Sequence, residues 1–167
     1  MKKILSLACA LVLGIGFASA QVHQGETAVG ANLVYGSEIE SAGIGARFQY
    51  GITDQLRAEV GLNYFFEHKH MSWWDVNINA HWLVGLWHEQ LYLYPLAGIN
   101  YTMVNDKRPN NDHPNGPGQK NDIGLNIGGG IEYEINEQWG VNAEYRHTIN
   151  GGNYDQGVFG IGINYYF

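Results

Sequence analysis

Eight ionisable side chains occur at alternate positions inside otherwise apolar or small-residue stretches of this sequence. In an extended chain, alternate side chains point to the same face, so these eight residues would share one face of a sheet. Carboxylates held close together could serve as a general acid and base, whereas carboxylates facing cations form ion pairs. The eight residues are Arg47, Arg57, Glu59, Asp75, His81, Glu132, Glu144 and Arg146.

These side chains must be positioned by strands, because the stretches that carry them alternate in polarity with period two. Tight turns at 51–55, 85–90 and 136–138 alternate with longer polar connections at 67–72, 104–121 and 148–156. The pattern predicts an all-β fold, an eight-stranded antiparallel up-and-down transmembrane β-barrel. The predicted strands are 27–35, 42–50, 56–66, 73–84, 91–103, 122–134, 139–147 and 157–167. Pro95 has no N–H to donate to a neighbouring strand, so we expect a bulge or irregular pairing there.

Composition indicates which face of this barrel points outward. A lipocalin-like soluble barrel would place the apolar face inside. Here the apolar face carries no charge, and Lys69, Lys107 and Lys120 all lie in the connections, whereas a solvated strand face would use lysine freely. Glycines on the polar face make room inside a narrow barrel, and aromatic residues cluster near both strand ends, as at two membrane interfaces. We therefore expect the apolar face to contact lipid and the charged face to form a sealed, salt-bridged interior.

The first 20 residues have the features of a cleaved signal peptide. A basic start, an apolar run and the site Ala18-Ser19-Ala20 predict export, with a short segment at 21–26 and the barrel domain at 27–167. The only cysteine, Cys9, lies in this signal, so the mature chain would have no disulfide. Removing Lys2 and Lys3 changes the net charge from −7 to −9, which argues against a nucleic-acid partner.

The final strand has a fully apolar face that ends on an aromatic residue. This pattern resembles the C-terminal signal that the barrel assembly machinery reads in bacterial outer-membrane barrels. The face consists of Phe159, Ile161, Ile163, Tyr165 and Phe167.

The chain as a whole resembles the small outer-membrane β-barrel proteins of the OmpX and OmpA type, often described as porin-family proteins. The resemblance covers 27–167 and rests on the segments 50–56, 94–101 and 132–139 and on the terminal Tyr-Tyr-Phe. It implies an integral protein of the Gram-negative outer membrane, in contact with outer-membrane lipids and lipopolysaccharide. It also implies a structural or surface-interaction role, in which extracellular loops contact an envelope or host-surface partner.

Two alternatives follow from the same barrel: a narrow pore, or an outer-membrane enzyme acting on lipid A. The segment 146–151 resembles the active-site strand of lipid A deacylase barrels, and His147 has the matching outward parity. However, Ile149 stands where the nucleophilic serine would be, and Thr148 points the other way, so we expect no enzyme. A sealed interior would also deny substrate access to the eight charged residues.

Histidines in two connections leave one further question open. His68, His70 and His113 could bind Zn²⁺ or Cu²⁺, but Lys69 between the first two opposes a cation. We therefore predict no catalytic, cofactor-binding or metal-binding residues, and the sequence does not identify the ligand of the loops.

Overall fold

A computed structural model of the chain describes residues 24–68, 71–87, 90–106, 118–150 and 155–167. The predicted signal peptide at 1–20 lies outside these residues, as do His70 and His113, and only the backbone of His68 is described. Whether the loop histidines bind a metal therefore stays open, and the export signal stays a prediction. No helix among the described residues is long and apolar enough to cross a membrane.

The described residues form nine strand segments. They are β1 (Thr27–Gly36), β2 (Ser41–Gly51), β3 (Leu56–His68), β4 (Met71–Trp82), β5 (Val84–Trp87), β6 (Leu91–Asp106), β7 (Gly118–Asn136), β8 (Trp139–Ile149) and β9 (Gln156–Tyr166). All pairings are antiparallel. Strands that follow one another in the chain pair, except that β4 pairs with β6 instead of β5, and β1 pairs with β9, so the sheet closes. Because β4 and β5 together pair with β6, they form one barrel strand, and the predicted eight-stranded antiparallel barrel is confirmed.

The division between β4 and β5 has a chemical cause. Leu83 donates its N–H to the Gln55 carbonyl (2.8 Å), on the β3 side, so the backbone groups of Trp82 point to β6. The register places Pro95 opposite Trp82, and proline has no N–H to donate. The irregular pairing expected from Pro95 is therefore found, as a break at Leu83 in the neighbouring strand.

The strands are also longer than predicted at one end of the barrel. β3 reaches His68 and β4 starts at Met71, so most of the predicted 67–72 loop is strand. Similarly, β6 extends to Asp106 and β7 starts at Gly118, which shortens the predicted 104–121 loop. These segments carry polar residues outside the apolar belt, so they lack the apolar alternation that predicts a strand. Their backbones are nevertheless paired.

The register fixes the stagger of the barrel. A path that starts at Ala28 and steps from each residue to its partner on the next strand runs around the barrel to Gln156. Val158 pairs with Gly36, so Gln156, two residues earlier, lies opposite position 38. The path thus returns to β1 at position 38, ten residues beyond its start, which implies strongly tilted strands. The intermediate residues are Gln49, Glu59, Asn79, Gly98, Asn126 and Thr148.

Side chains alternate between the interior and the outer wall. In β2, for example, Arg47 and Gln49 are buried, whereas Ile44, Phe48 and Tyr50 are exposed. We call the end with the β1–β2, β3–β4, β6–β7 and β8–β9 connections the loop end. The opposite end is the turn end.

Candidate functional site

The interior of the barrel contains all eight charged residues singled out from the sequence, each at most 7% exposed. They come from β2, β3, β4, β7 and β8, so the inward parity of five strands brings them together. Buried charges are tolerated only when they are paired or hydrogen-bonded, so their partners define what this site can do.

The pair nearest the turn end joins Arg57 and Glu132. The guanidinium donates Nη1 to Oε1 at 2.6 Å and Nη2 to Oε2 at 3.1 Å, the two-pronged geometry that suits arginine and carboxylate. Asn164 also donates to Glu132 Oε2 (3.0 Å), and the Arg57 guanidinium lies 5.5 Å from the centre of the Tyr94 ring. Both oxygens of the carboxylate are therefore occupied.

Arg47 bridges two further carboxylates. Its Nη1 lies 3.3 Å from Glu59 Oε2 and 3.5 Å from Glu144 Oε2. Gln49 Nε2 donates to Glu59 Oε2 (2.9 Å), and the Tyr94 hydroxyl donates to Glu144 Oε2 (3.0 Å). A cation held between these carboxylates prevents them from acting as an acid–base pair on a substrate.

His81 completes this cluster and shows why it suits ion pairing rather than metal binding. One ligand atom each from Glu59, His81 and Glu144 lie within 4.8 Å of one another, a spacing that could hold a metal. However, Nη2 of Arg57 approaches His81 Nδ1 (3.3 Å), so Nδ1 must accept, and a neutral ring then carries its proton on Nε2. Nε2 faces Glu59 Oε1 at 3.8 Å. The protonated nitrogen and the two neighbouring guanidiniums oppose a metal cation at this position.

A second polar region lies towards the loop end. Arg146 Nη2 pairs with Asp75 Oδ2 (3.0 Å), and Asp75 Oδ1 accepts from Asn63 and Asn77 (2.7 and 2.6 Å). From these two amides, amide-to-amide hydrogen bonds extend over residues of five strands. They join the buried side chains of Asn32, Asn63, Asn77, Asn79, Asn100 and Asn126.

Strand parity predicts Tyr92 and Tyr94 inside the turn end, but sequence analysis missed the rest of the apolar interior. At the loop end a cluster of Val34, Phe65, Trp73, Val104 and Val158 fills the barrel, and we call it the loop-end cluster. At the turn end Leu83, Tyr92, Tyr94 and Leu96 form the turn-end cluster. Strand parity would have found the rest, because each residue of the loop-end cluster shares the inward face with a polar residue two positions away. Leu83 likewise follows His81, and Leu96 lies on the same face of β6 as Asn100. The polar interior is therefore closed by packed apolar side chains at both ends.

Inward-facing glycines make this packing compatible with a narrow barrel. A Cβ placed on Gly130 would lie 2.5 Å from the Tyr94 hydroxyl and 2.8 Å from the Ala143 carbonyl oxygen. On Gly140 it would lie 2.5 Å from the Tyr166 hydroxyl. These glycines therefore make space for tyrosines, in addition to the arginines and glutamates expected from the sequence.

The β1–β2 loop covers the loop end of the interior. Ile39 packs against the loop-end cluster, and Ser37 donates its N–H to the Gly157 carbonyl (2.8 Å). The Glu38 carboxylate accepts from the Gly157 N–H and from the Ser37 hydroxyl. Partial burial raises the pKa of Glu38, but these hydrogen bonds and nearby His147 outweigh burial and hold the pKa below its usual range.

The residues that resembled a deacylase strand are separated by the barrel wall. Thr148 is 2% exposed in the interior and donates to Asn126 Oδ1 (2.7 Å). His147 and Ile149 lie on the outer wall, where Ile149 is 46% exposed. The described residues of β8 thus offer His147 no hydroxyl nucleophile at the position of Ile149.

The five residues of the predicted assembly signal lie on the outer wall of β9 and at its end, and Phe167 is 67% exposed. Thr27 and Phe167 close the barrel, because Phe167 donates its N–H to the Thr27 carbonyl (2.9 Å). The geometry allows the aromatic face to be read from outside, while its recognition by the assembly machinery stays a prediction.

Known structures share this architecture at low sequence identity. The N-terminal β-barrel domain of Pseudomonas aeruginosa OprF matches with a TM-score of 0.71 at 17% identity, over 86% of this chain and 98% of that one. Neisserial surface protein A gives 0.63 at 16%, over 87% and 98%. Ail, the attachment invasion locus protein of Yersinia pestis, gives 0.58 at 14%, over 87% and 100%. No curated protein sequence matches the chain significantly.

A family model described as the outer membrane protein beta-barrel domain matches residues 6–167, nearly the whole sequence. Together with the closed barrel and its apolar outer wall, this match places the molecule in the outer membrane. The chain belongs to the outer membrane protein β-barrel domain family and is an integral outer-membrane β-barrel.

Proposed function

We propose that this protein is a sealed, non-enzymatic barrel that acts at the cell surface, as a structural or surface-interaction protein, through its loop end. The observation that carries the proposal is the filled interior: ion pairs and amide networks lie between two apolar clusters. An eight-stranded barrel has room for little more than its own side chains. With the interior occupied, the connections at the loop end and the lipid-facing wall are left to contact partners.

The orientation follows from the lengths of the connections. Outer-membrane barrels have short periplasmic turns and longer extracellular loops. The loop end therefore faces the cell exterior and the turn end faces the periplasm. Protease added to intact cells should cleave within residues 107–117 and leave the β2–β3 and β7–β8 turns intact, and cleavage at those turns would reverse the orientation.

A polyanionic surface ligand is the first partner to test. Ail of Yersinia pestis has been crystallised with the heparin analogue sucrose octasulfate. In the present sequence, the lysines and arginines beyond residue 20 and outside the interior all lie at 67–72 or 104–121, and are Lys69, Lys107, Arg108 and Lys120. Such side chains bind sulfate groups by charge, and the interaction weakens with salt.

The experiment measures binding of sucrose octasulfate to the barrel in lipid nanodiscs by calorimetry. Replacing the four basic residues by glutamine, or deleting 107–117, should abolish binding. The matched control, Asp54→Asn and Glu137→Gln at the turn end, should bind like the unmodified protein. An absence of saturable binding at low salt would rule out this class of ligand, and equal binding by the deletion variant would exclude that loop.

The absence of enzymatic activity on lipid A is a separate part of the proposal. It is supported by Ile149 on the outer wall beside His147 and by Thr148 in the interior. Mass spectrometry of lipid A should therefore show the same acylation pattern in a deletion strain and in its parent. A pattern that changes on deletion and returns on complementation would establish an enzyme instead.

A further inference from the structure

Among the described residues, one short connection covers the apolar cluster at the loop-end mouth of the barrel. Between β1 and β2 the chain runs through residues 37–40, with Glu40 in the left-handed region at φ 49°. Ile39 is seated on the loop-end cluster, which lies above the amide network of the interior. The loop therefore covers the apolar cluster that separates this network from the exterior.

Polar contacts with β9 hold the loop in place. Ser37 N–H and the Glu38 carboxylate bind the carbonyl and the N–H of a single residue, Gly157 in β9. The Ser37 hydroxyl donates to the same carboxylate, and His147, which is paired with Gly157 in the register, adds a favourable charge interaction. Ile39 is the side chain of the loop that packs on the cluster.

We propose that the β1–β2 loop is a gate, latched by Glu38 on Gly157, that controls access of water from the cell exterior to the buried polar side chains beneath the loop-end cluster. The proposal rests on the sealed interior put forward above. Releasing the carboxylate frees Ile39 from the cluster, which lets the cluster loosen and admits water to the side chains of Asn63, Asp75 and Asn77.

Opening the gate does not create a channel. Below the amide network, Arg47 is held between Glu59 and Glu144, and the turn-end cluster fills the rest of the barrel. None of these contacts involves the β1–β2 loop. Opening therefore changes access from one side only, and this one-sidedness is what an experiment can detect.

A cysteine reporter makes the test direct, because Cys9, the only cysteine, precedes the barrel. Thr102 is 4% exposed, faces the interior two residues below Val104, and is nearly isosteric with cysteine. Thr148, 2% exposed on β8, provides a second reporter in case the first disturbs folding. The measurement is the rate of modification by a membrane-impermeant thiol reagent added outside folded barrels in vesicles, with folding checked by heat-modifiable gel mobility.

Modification should be slow in either reporter background. Glu38→Ala and Ile39→Ala should each accelerate it about tenfold or more, since losing one charge-assisted hydrogen bond or one packed side chain shifts a local opening equilibrium by this order. Asp54→Asn, which removes a carboxylate from the turn end, should leave the rate unchanged.

The outcomes separate the two proposals. Fast modification of the reporter without any gate substitution would show that the interior is not sealed, and the proposed function would fail with it. Slow modification that stays slow in both gate variants would leave the sealed interior intact and overturn the gate. Equal acceleration by Asp54→Asn would also overturn it, because the effect would then not depend on the latch.

Discussion

Replacing Arg57 tests the sealed interior most directly, because its partner Glu132 is fully buried. In Arg57→Ala the carboxylate loses the bonds of 2.6 and 3.1 Å and keeps the Asn164 amide as a donor. Removing one partner of a buried pair costs about 3–5 kcal/mol. Loss of the guanidinium also removes its contacts with His81 Nδ1 and the Tyr94 ring. We expect the free energy of unfolding to fall by about 4 kcal/mol, within this range.

The assay is reversible urea unfolding in detergent micelles, followed by tryptophan fluorescence and gel mobility. Combining Arg57→Met with Glu132→Gln should recover most of the loss, because neither side chain then leaves a charge unpaired. Glu137→Gln in the exposed β7–β8 turn is the control and should change stability by less than about 0.5 kcal/mol. A loss below about 1 kcal/mol for Arg57→Ala, with a marked dependence on salt, would show a solvated pair and refute the sealed interior.

Three further predictions address permeability, pH and assembly. Purified protein in planar bilayers should show no stable conductance steps. Replacing Arg47, Arg57 and Arg146 together by alanine should raise leak and lower thermal stability. Stable conductance of the unmodified protein that these substitutions leave unchanged would contradict this prediction. The lowered pKa of Glu38 means that its stabilisation is present above the unfolded pKa and is lost as pH falls through the lower folded value. Because the thiolate is the reacting form, labelling is compared with that of a free thiol at the same pH. This ratio should rise only in acid below the usual glutamate range, and Glu38→Ala should abolish the rise. Deleting Phe167 should slow insertion by the assembly machinery in cells more than folding into detergent, and equal slowing in both assays would assign it a structural role instead.

Alternation in the sequence predicted the barrel and the inward set of charges because period two separates the two faces of each strand. It could not predict that Arg57 pairs with Glu132 or Arg146 with Asp75, since these partners lie 75 and 71 residues apart and meet only through the tilt of the closed barrel. The loop-end cluster was missed for a different reason. Phe65 and Trp73 face inward, but their apolar character resembles that of the lipid-facing residues, so only strict parity distinguishes them.

The break opposite Pro95 shows the same limit on a smaller scale. The missing proline N–H predicted irregular pairing, but the break falls at Leu83, in the partner strand. Sequence also failed to set the ends of β6 and β7, because their loop-end residues are polar. The gate formed by Glu38 and Gly157 joins positions 119 residues apart and could be found only from the structure.

The pairing of β1 with β9 constrains how the molecule can be made. Until the last strand docks on the first, both carry a row of unpaired N–H and C=O groups, which is unfavourable in lipid and prone to association with other chains. Closure joins strands at opposite ends of the chain, so it carries the largest loop-closure entropy and comes late in assembly. A chain truncated before β9 could not close its barrel. Its sheet would keep two unpaired edges, and periplasmic chaperones and proteases would have to remove it.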